Sequence, residues 1–219
     1  MNKNTNVWLI TPLTNLHAGD ESVVSFTVID KTVQRDATTG LPCINSSSLK
    51  GAVKEYLEEE TSTPKEVIKE LFGSSKKGKD TQKGSAIFFD SAILFIPERL
   101  ADGRQTHQLV YDKNVLNDFV EKAKALGINC DAQSIIQKAG GTPTAKFKKL
   151  CDDEHLPIIA RNCLENGESV NLWYEQVVPL RSVFATIISG DLDMIDGKII
   201  QVGGNATIGY GYCKFEKLG

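Results

Sequence analysis

Residues 7–11 alternate apolar with polar or β-branched positions around Trp8, which predicts a strand. A polar stretch at 15–22 follows, then a β-branched, extended run at 23–33, and Thr38-Thr39-Gly40 is a turn signal. Leu49, Ala52, Val53, Tyr56 and Leu57 recur at i, i+3, i+4, i+7 and i+8, so this stretch reads as a helix with one buried stripe. A second helix opens at Thr63-Pro64-Lys65-Glu66. There Thr63 is the expected cap, Pro64 the first helical residue and Glu66 the closing acid of a capping box. Gly73 suits a left-handed residue at its end. The almost continuous apolar run at 86–96 predicts a central strand buried on both faces. Leu116, Phe119, Val120 and Ala123 mark a further helix, stopped by Gly127. Residues 98–154 are polar and uneven in texture and read as inserted material. Strands follow at 170–178 and 182–189, then a glycine-rich loop at 203–211 and a last strand at 212–216. Without strict alternation of helix and strand, and without an internal repeat, the pattern predicts an α+β fold with an antiparallel sheet.

A chain of 219 residues suits one enlarged domain, or a core with one substantial insertion. No apolar run approaches a membrane span, and MNKNTNVWLITPLT, with one Lys and a short apolar run, does not read as a secretory signal. A cytoplasmic location is the expectation. Cys43, Cys130, Cys151, Cys163 and Cys213 are scattered and never spaced CxxC, which argues against a disulfide framework and against a zinc site. Reduced, mostly buried thiols are expected.

The net charge of −3 runs against a generic nucleic-acid binder, so such a function requires segregated charge. The sequence has that segregation. Lys76, Lys77, Lys79 and Lys83 cluster, as do Lys146, Lys148 and Lys149; Glu58-Glu59-Glu60 and Asp152-Asp153-Glu154 are acidic blocks. Solvated faces carry such runs too, so the pattern only permits RNA binding.

Three places carry candidate chemistry. Helix starts favour acids, yet the helix after Ser46-Ser47-Ser48 holds Lys50 and no acid in its first turn. Free N–H groups, hydroxyls and an ammonium make an anion site there, most simply for phosphate. A serine cap with a solvent-facing lysine reads the same way, and the Lys-Gly order excludes a P-loop. In Gly203-Gly204-Asn205-Ala206-Thr207-Ile208-Gly209-Tyr210-Gly211, the glycines let backbone approach a ligand closely; a plain turn between strands has the same composition. The spacing and the short remaining chain exclude a Rossmann motif. Last, His17, Asp20, Glu21, Asp30 and Asp36 form a polar set. RNA cleavage needs a 2′-hydroxyl aligned and deprotonated, and a carboxylate holding a hydrated divalent metal, with a His to shuttle protons, supplies that. Loop carboxylates also simply face water. Trp173 and Tyr174 have the chemistry to stack on bases, although strand aromatics are more often core.

These pieces follow one order: His17-Ala18-Gly19, Ile29-Asp30-Lys31-Thr32-Val33-Gln34-Arg35-Asp36, Thr39-Gly40-Leu41-Pro42, Ser47-Ser48-Leu49-Lys50-Gly51, Leu71-Phe72-Gly73, and Gly203-Gly204 to Gly209-Tyr210-Gly211. In that order they resemble the RAMP superfamily, the repeat-associated proteins of CRISPR systems. Ala160-Arg161-Asn162 with Asn171-Leu172-Trp173-Tyr174-Glu175 and Val178-Pro179 is similar to the repeated backbone subunit of type III-B (Cmr) effector complexes. The likeness covers roughly 7–97 and 156–216. Asn45-Ser46 stands where the family has Pro-Gly, and Gln176 where it has a second Glu.

The resemblance implies a ferredoxin-like (RRM-like) palm with an antiparallel sheet, formed by 1–97 and 156–219, and an inserted thumb within 98–155. It implies head-to-tail copies along a guide RNA (crRNA), alongside other CRISPR effector subunits, with no membrane partner. The thumb pushes bases out of the guide–target duplex at regular intervals. Asp30, with a divalent metal such as Mg, cuts the target RNA, and His17 supports it. Arg35, Ser47, Ser48, Lys50, Arg161, Tyr174, Gly203, Gly204, Asn205, Gly209 and Gly211 are the implied RNA contacts. Alternatives are a non-cleaving assembly subunit, a stand-alone endoribonuclease that processes guide precursors and leans on His17, and a ferredoxin-like protein that binds a small anionic metabolite.

Overall fold

The computed structural model describes residues 4–19, 29–74, 82–101 and 105–218. Its elements in chain order are β1 (Thr5–Pro12), β2 (Cys43–Ile44), α1 (Ser46–Glu59), α2 (Lys65–Phe72), β3 (Ile87–Phe88), β4 (Ser91–Arg99), β5 (His107–Tyr111), α3 (Lys113–Ala125), α4 (Ala132–Ala139), β6 (Thr142–Pro143), α5 (Phe147–Leu150), β7 (Ile158–Glu165), β8 (Glu168–Gln176), β9 (Val183–Ser189), β10 (Ile199–Gln201) and β11 (Tyr212–Lys217). The fold is mixed α+β. Its main sheet runs β10-β11-β1-β9-β4-β5-β6, with β2 on β4 and β3 on β9; every pairing is antiparallel except β5 with β6.

Side-chain alternation explains how two layers of helix share this sheet. Along β1, Trp8 and Ile10 enter one core while Val7 and Leu9 enter the other. The first core takes the stripe of α1. Leu49, Val53 and Leu57 are each fully buried, worth roughly 1.5–3 kcal/mol apiece against exposure. The second core takes α3 and α4 through Leu116, Phe119, Val120, Ala123 and Ile135. A strand covered on both faces needs no polar alternation, which is why 7–10 and 93–96 read as unbroken apolar runs.

Some expectations change. The run at 86–96 is two strands with Phe89 and Asp90 between them, Phe89 still donating its N–H to the Ile187 carbonyl at 3.1 Å. Asp90 is used instead as a carboxylate on the Ser46 N–H, 2.6 Å away, at the start of α1. The second helix starts one residue later than expected, with Pro64 as its cap residue and no side-chain cap. The Thr63 hydroxyl lies 2.7 Å from that of Thr61, so the capping box does not form. The 98–155 segment, read as inserted, is joined to the sheet: β5 pairs with β4 from Ile96↔Val110 to Arg99↔His107, and α3 and α4 cover the second face of the sheet. The element outside the main sheet is instead the β7–β8 hairpin, a separate two-stranded ladder. It turns at Asn166-Gly167, both at positive φ (51° and 87°), as a two-residue hairpin turn requires. Most of the expected 23–33 strand lies outside the described residues; Lys31, Val33 and Arg35 make single bridges only. Among the described residues, no helix is long and apolar enough to cross a membrane.

Candidate functional site

One cleft of about 560 Å³ is lined by His17, Ala18, Gly19, Asp30, Lys31, Thr32, Ser48, Glu175, Gly203, Gly204 and Asn205. The sequence therefore folds the His segment, the Asp30 loop, the start of α1 and the glycine-rich loop onto the base of the hairpin.

Each piece has a local cause. Fully buried Leu16 exchanges both backbone hydrogen bonds with Val178, which fixes the chain leaving β1 beside the end of β8. His17 follows and is only 6% exposed. Its Nδ1 lies 2.8 Å from the Gln176 carbonyl, so that nitrogen carries a hydrogen and donates it. Its Nε2 is 3.5 Å from Glu175 Oε1. Gly203 lies against this segment at φ 82°, where any Cβ would collide with the His17 carbonyl oxygen. The Gly204 N–H donates to that oxygen at 2.9 Å. Asn205 follows in the left-handed region at φ 67°.

Glu175 ties these parts together. Its side chain is 1% exposed; Arg161 Nε donates to Oε2 at 3.0 Å and Asn205 Nδ2 donates to Oε1 at 2.7 Å. The Arg161 guanidinium lies 4.6 Å from the centroid of the Tyr210 ring, which adds a cation–π contact from the glycine-rich loop. A buried carboxylate needs such partners, because its desolvation is otherwise uncompensated.

Asp30 is exposed, and the hairpin holds it. Its Oδ2 accepts from the Tyr174 N–H at 2.7 Å, and the N–H groups of Asp30 and Lys31 both donate to the Tyr174 carbonyl, at 3.0 and 3.1 Å. Lys31 places its ammonium 5.6 Å from the Trp173 ring centroid. The carboxylate is thus fixed through one oxygen while it stays on the surface.

The start of α1 keeps its predicted character in part. Its first turn has no acid of its own and Asn45 gives no side-chain cap, but Asp90 already takes the first N–H. The next N–H groups, with the exposed Ser47 and Ser48, still face outward for an anion.

Of the expected site residues, His17, Asp30, Ser48, Gly203, Gly204 and Asn205 meet in the cleft. Arg161 braces it from below through Glu175. Tyr174 adjoins it through its backbone and leaves its side chain 37% exposed. Ser47, Lys50, Gly209 and Gly211 do not line the cleft. Gly211, at φ 76°, serves the loop's own closure, since a Cβ there would collide with the Val202 carbonyl. Arg35 is committed to its own chain. Its Nε and Nη2 donate to Asp153 Oδ1 at 3.0 and 2.6 Å, and its Nη1 donates to the Gly40 and Cys151 carbonyls at 2.7 and 2.8 Å. Asp36 folds back on its own turn; the Thr39 N–H above all holds its carboxyl below the usual range. Asp20 and Glu21 lie outside the described residues. Among the described residues, no group of three His, Cys, Asp or Glu is placed to hold a metal.

Glu175 is the residue that reading by pattern misses. It was visible only as the last letter of Leu-Trp-Tyr-Glu; its role depends on Arg161 and Asn205, which arrive from 14 and 30 residues away. Gln176, where the resemblance expects an acid, is fully buried and structural: its Oε1 accepts from the Val33 N–H at 3.2 Å.

The sequence profile of the RAMP superfamily matches residues 9–214. The chain belongs to the RAMP superfamily. Within it, the chain is 26% identical over 273 aligned positions to the CRISPR system Cmr endoribonuclease Cmr4 of Pyrococcus furiosus, with 92% of each chain covered. It is also 36% identical to the CRISPR system CMR subunit Cmr4 of Saccharolobus solfataricus, over 42% of this chain and 29% of that one. Among solved structures, this RAMP fold superposes with a TM-score of 0.76 on a chain of a type III-B Cmr-beta complex bound to cognate target RNA, at 20% identity with 98% and 97% of the two chains covered. Oligomeric Cmr4 from Pyrococcus furiosus gives 0.68 at 21% identity, with 99% and 98% covered.

Proposed function

We propose that this RAMP protein is the guide-RNA-binding backbone subunit of a type III-B CRISPR effector complex, and that it cuts complementary target RNA at Asp30. One observation carries the reading: an exposed, backbone-anchored carboxylate shares a cleft with a helix start open to anions and a close-packed glycine-rich loop. Full-length likeness to an endoribonuclease of the same superfamily supports it. The four central strands stand in the order β11-β1-β9-β4, with α1 on one face, which suits an RRM-like palm.

In this reading the α1 start, with Ser47, Ser48 and Lys50, and the loop at 203–205 hold guide phosphates. Such contacts position RNA and do not read its sequence; base pairing with the guide supplies specificity. The β7–β8 hairpin, rather than 98–155, is the element that displaces bases. It presents Leu172 (53% exposed) and Tyr174 (37%) on one face, where planar bases stack.

Hairpin and Asp30 share one backbone joint, so a base displaced by the hairpin leaves its flanking phosphate beside Asp30. There the carboxylate takes the proton of the 2′-hydroxyl while that oxygen bonds to the adjacent phosphorus. The bond from phosphorus to the 5′-oxygen breaks, and that oxygen leaves with a proton from water. Asp30 is the single exposed carboxylate among the described cleft residues and would be the side chain that holds a Mg²⁺ there. The ion supplies charge neutralisation at the phosphate. His17 positions the cleft floor. Its ring is buried between Gln176 and Glu175, which disfavours the stand-alone, His-dependent processing enzyme.

The test uses the assembled complex, a guide and a labelled complementary target, with magnesium and then with a chelator. Asp30→Asn keeps an acceptor for the Tyr174 N–H and removes the charge; Asp30→Ala removes both. The expected result is regularly spaced, metal-dependent cuts by the wild type, no cuts by either variant, and unchanged target binding by Asp30→Asn. Cutting by Asp30→Asn at the wild-type rate refutes the catalytic assignment. Binding without cuts in all three proteins makes the chain an assembly subunit.

A further inference from the structure

Two charge blocks play no part in the cleft: the acidic end of α1 and the lysines of α5. The first lines a groove of about 420 Å³ between α1 and the edge strand β10, with Glu55, Glu59, Glu60, Tyr56, Ile199 and Tyr212 around it. Glu55 and Glu59 are one helical turn apart and share a face. All three glutamates are exposed, and none has a cation at ion-pair distance among the described residues. Ile199 and Tyr212 are 51% and 39% exposed, so the groove joins uncompensated negative charge to apolar surface. Among the described residues β10 pairs only with β11, which leaves its outer edge without a strand partner there.

The second block lies across the sheet. The strand order puts β10 at one edge and β6 at the other. Just after β6, Lys148 and Lys149 stand exposed on α5, whose Phe147 anchors it in the same core as α1. Of the acids that follow, Asp153 pairs with Arg35 and Asp152 lies 2.7 Å from the His155 ring, while Glu154 makes no ion pair among the described residues. Lys146 pairs with Glu98. One layer of the molecule therefore carries three exposed glutamates without an ion pair at one edge and, at the other, two exposed lysines without one among the described residues.

We infer that the α1–β10 groove receives α5 of a second copy of this chain, with Glu55, Glu59 and Glu60 facing Lys148 and Lys149. Surfaces that differ and lie on opposite edges form a heterologous contact, which propagates instead of closing. Groove against groove sets like charges together, and the same charge repels a phosphodiester backbone. Pro143 in β6 keeps the contact from becoming a continued sheet, since it gives no N–H to the ladder. This rests on the backbone-subunit reading proposed above and assigns two faces to the head-to-tail array that the resemblance implies.

The experiment measures the mass of the full chain on a guide RNA long enough for several copies, by sedimentation at low and moderate salt. Glu55→Lys with Glu59→Lys, and separately Lys148→Glu with Lys149→Glu, are each expected to weaken copy-to-copy association at least tenfold and leave a single-copy RNA complex. Mixing the two variants restores assembly, because the reversed groove of one meets the reversed ridge of the other; misfolded variants cannot rescue each other. Wild-type assembly by either variant alone, or no rescue on mixing, overturns the pairing of faces. A wild type that never forms multiples on RNA overturns the assembly reading itself, and this inference with it.

Discussion

Replacing Arg161 with Ala strips Glu175 of the one Arg or Lys that pairs with it among the described residues. Glu175 is 1% exposed, so water does not take the place of the guanidinium. Breaking a fully buried pair from one side costs about 3–5 kcal/mol. Arg161 keeps 18% of its side chain exposed, and Asn205 still donates to the carboxylate, so about 2 kcal/mol is the expected loss. At roughly 2–4 °C per kcal/mol for a chain of this size, that is a fall in Tm of about 4–8 °C. Glu175→Ala strands the guanidinium instead and costs a similar amount. The double variant strands neither, so the two losses do not add. A double-mutant cycle by urea unfolding is expected to show about 1–2 kcal/mol of coupling. Amide exchange at Tyr174, whose N–H bonds Asp30, separates local opening of the hairpin base from global unfolding. Coupling below about 0.5 kcal/mol, the ordinary error of additivity, refutes the claim that the Arg161–Glu175 pair braces the base of the hairpin.

Four further outcomes follow from the geometry. Lys50→Ala weakens guide binding uniformly across sequences and lowers the slope of log affinity against log salt by about 0.7, as loss of one single-strand phosphate contact requires; an unchanged slope removes Lys50 from the interface. Arg35→Ala lowers stability in urea by about 1–3 kcal/mol, since it frees Asp153 and two carbonyls, and leaves guide affinity within about twofold; the reverse pattern puts Arg35 back on RNA. An alkylating thiol reagent at pH 8 modifies Cys163 alone in the native protein and all five cysteines in denaturant, because the other four are buried. Burial also pushes Cys151 and Cys213 up to about 12 from an ordinary 9.0. The unfolded chain therefore loses these protons first, and the stability they contribute is full below pH 9.0 and lost as pH rises toward about 12; a flat stability profile over that interval contradicts their burial.

The fold was legible where one periodicity ran unbroken over a surface the chain covers itself. The stripe from Leu49 to Leu57 needed only α1 and the sheet, and it packs as the spacing required. The run at 86–96 misled because composition does not register a break in hydrogen bonding. Phe89 is as apolar as its neighbours, yet Asp90 beside it is pulled out of the ladder to reach the Ser46 N–H. For 98–155, read as inserted material, the uneven polarity hid how the segment packs. Four apolar residues of α3 suffice to seat it on Val7 and Leu9, and its exposed side supplies all the polarity.

The site was legible in its members more than in its wiring. Asp30, Ser48 and Gly203 come together as their shared order along the chain suggested. Arg35 shows the limit: its charge invites RNA, but the acceptors that absorb it sit 5 to 118 residues away. The hairpin shows a different one. Its alternation through Leu172, Trp173, Tyr174 and Glu175 correctly marks a strand with two unlike faces. Strand aromatics usually mean a covered face, and the side of Trp173 and Glu175 is covered by Lys31, Arg161 and Asn205. The side of Leu172 and Tyr174 is not, and a two-stranded ladder with an open apolar face is marginal in water on its own. In the proposed backbone-subunit reading, RNA bases or a neighbouring copy complete that face. The chain thus encodes the alternation in full but only half of the burial that gives it meaning.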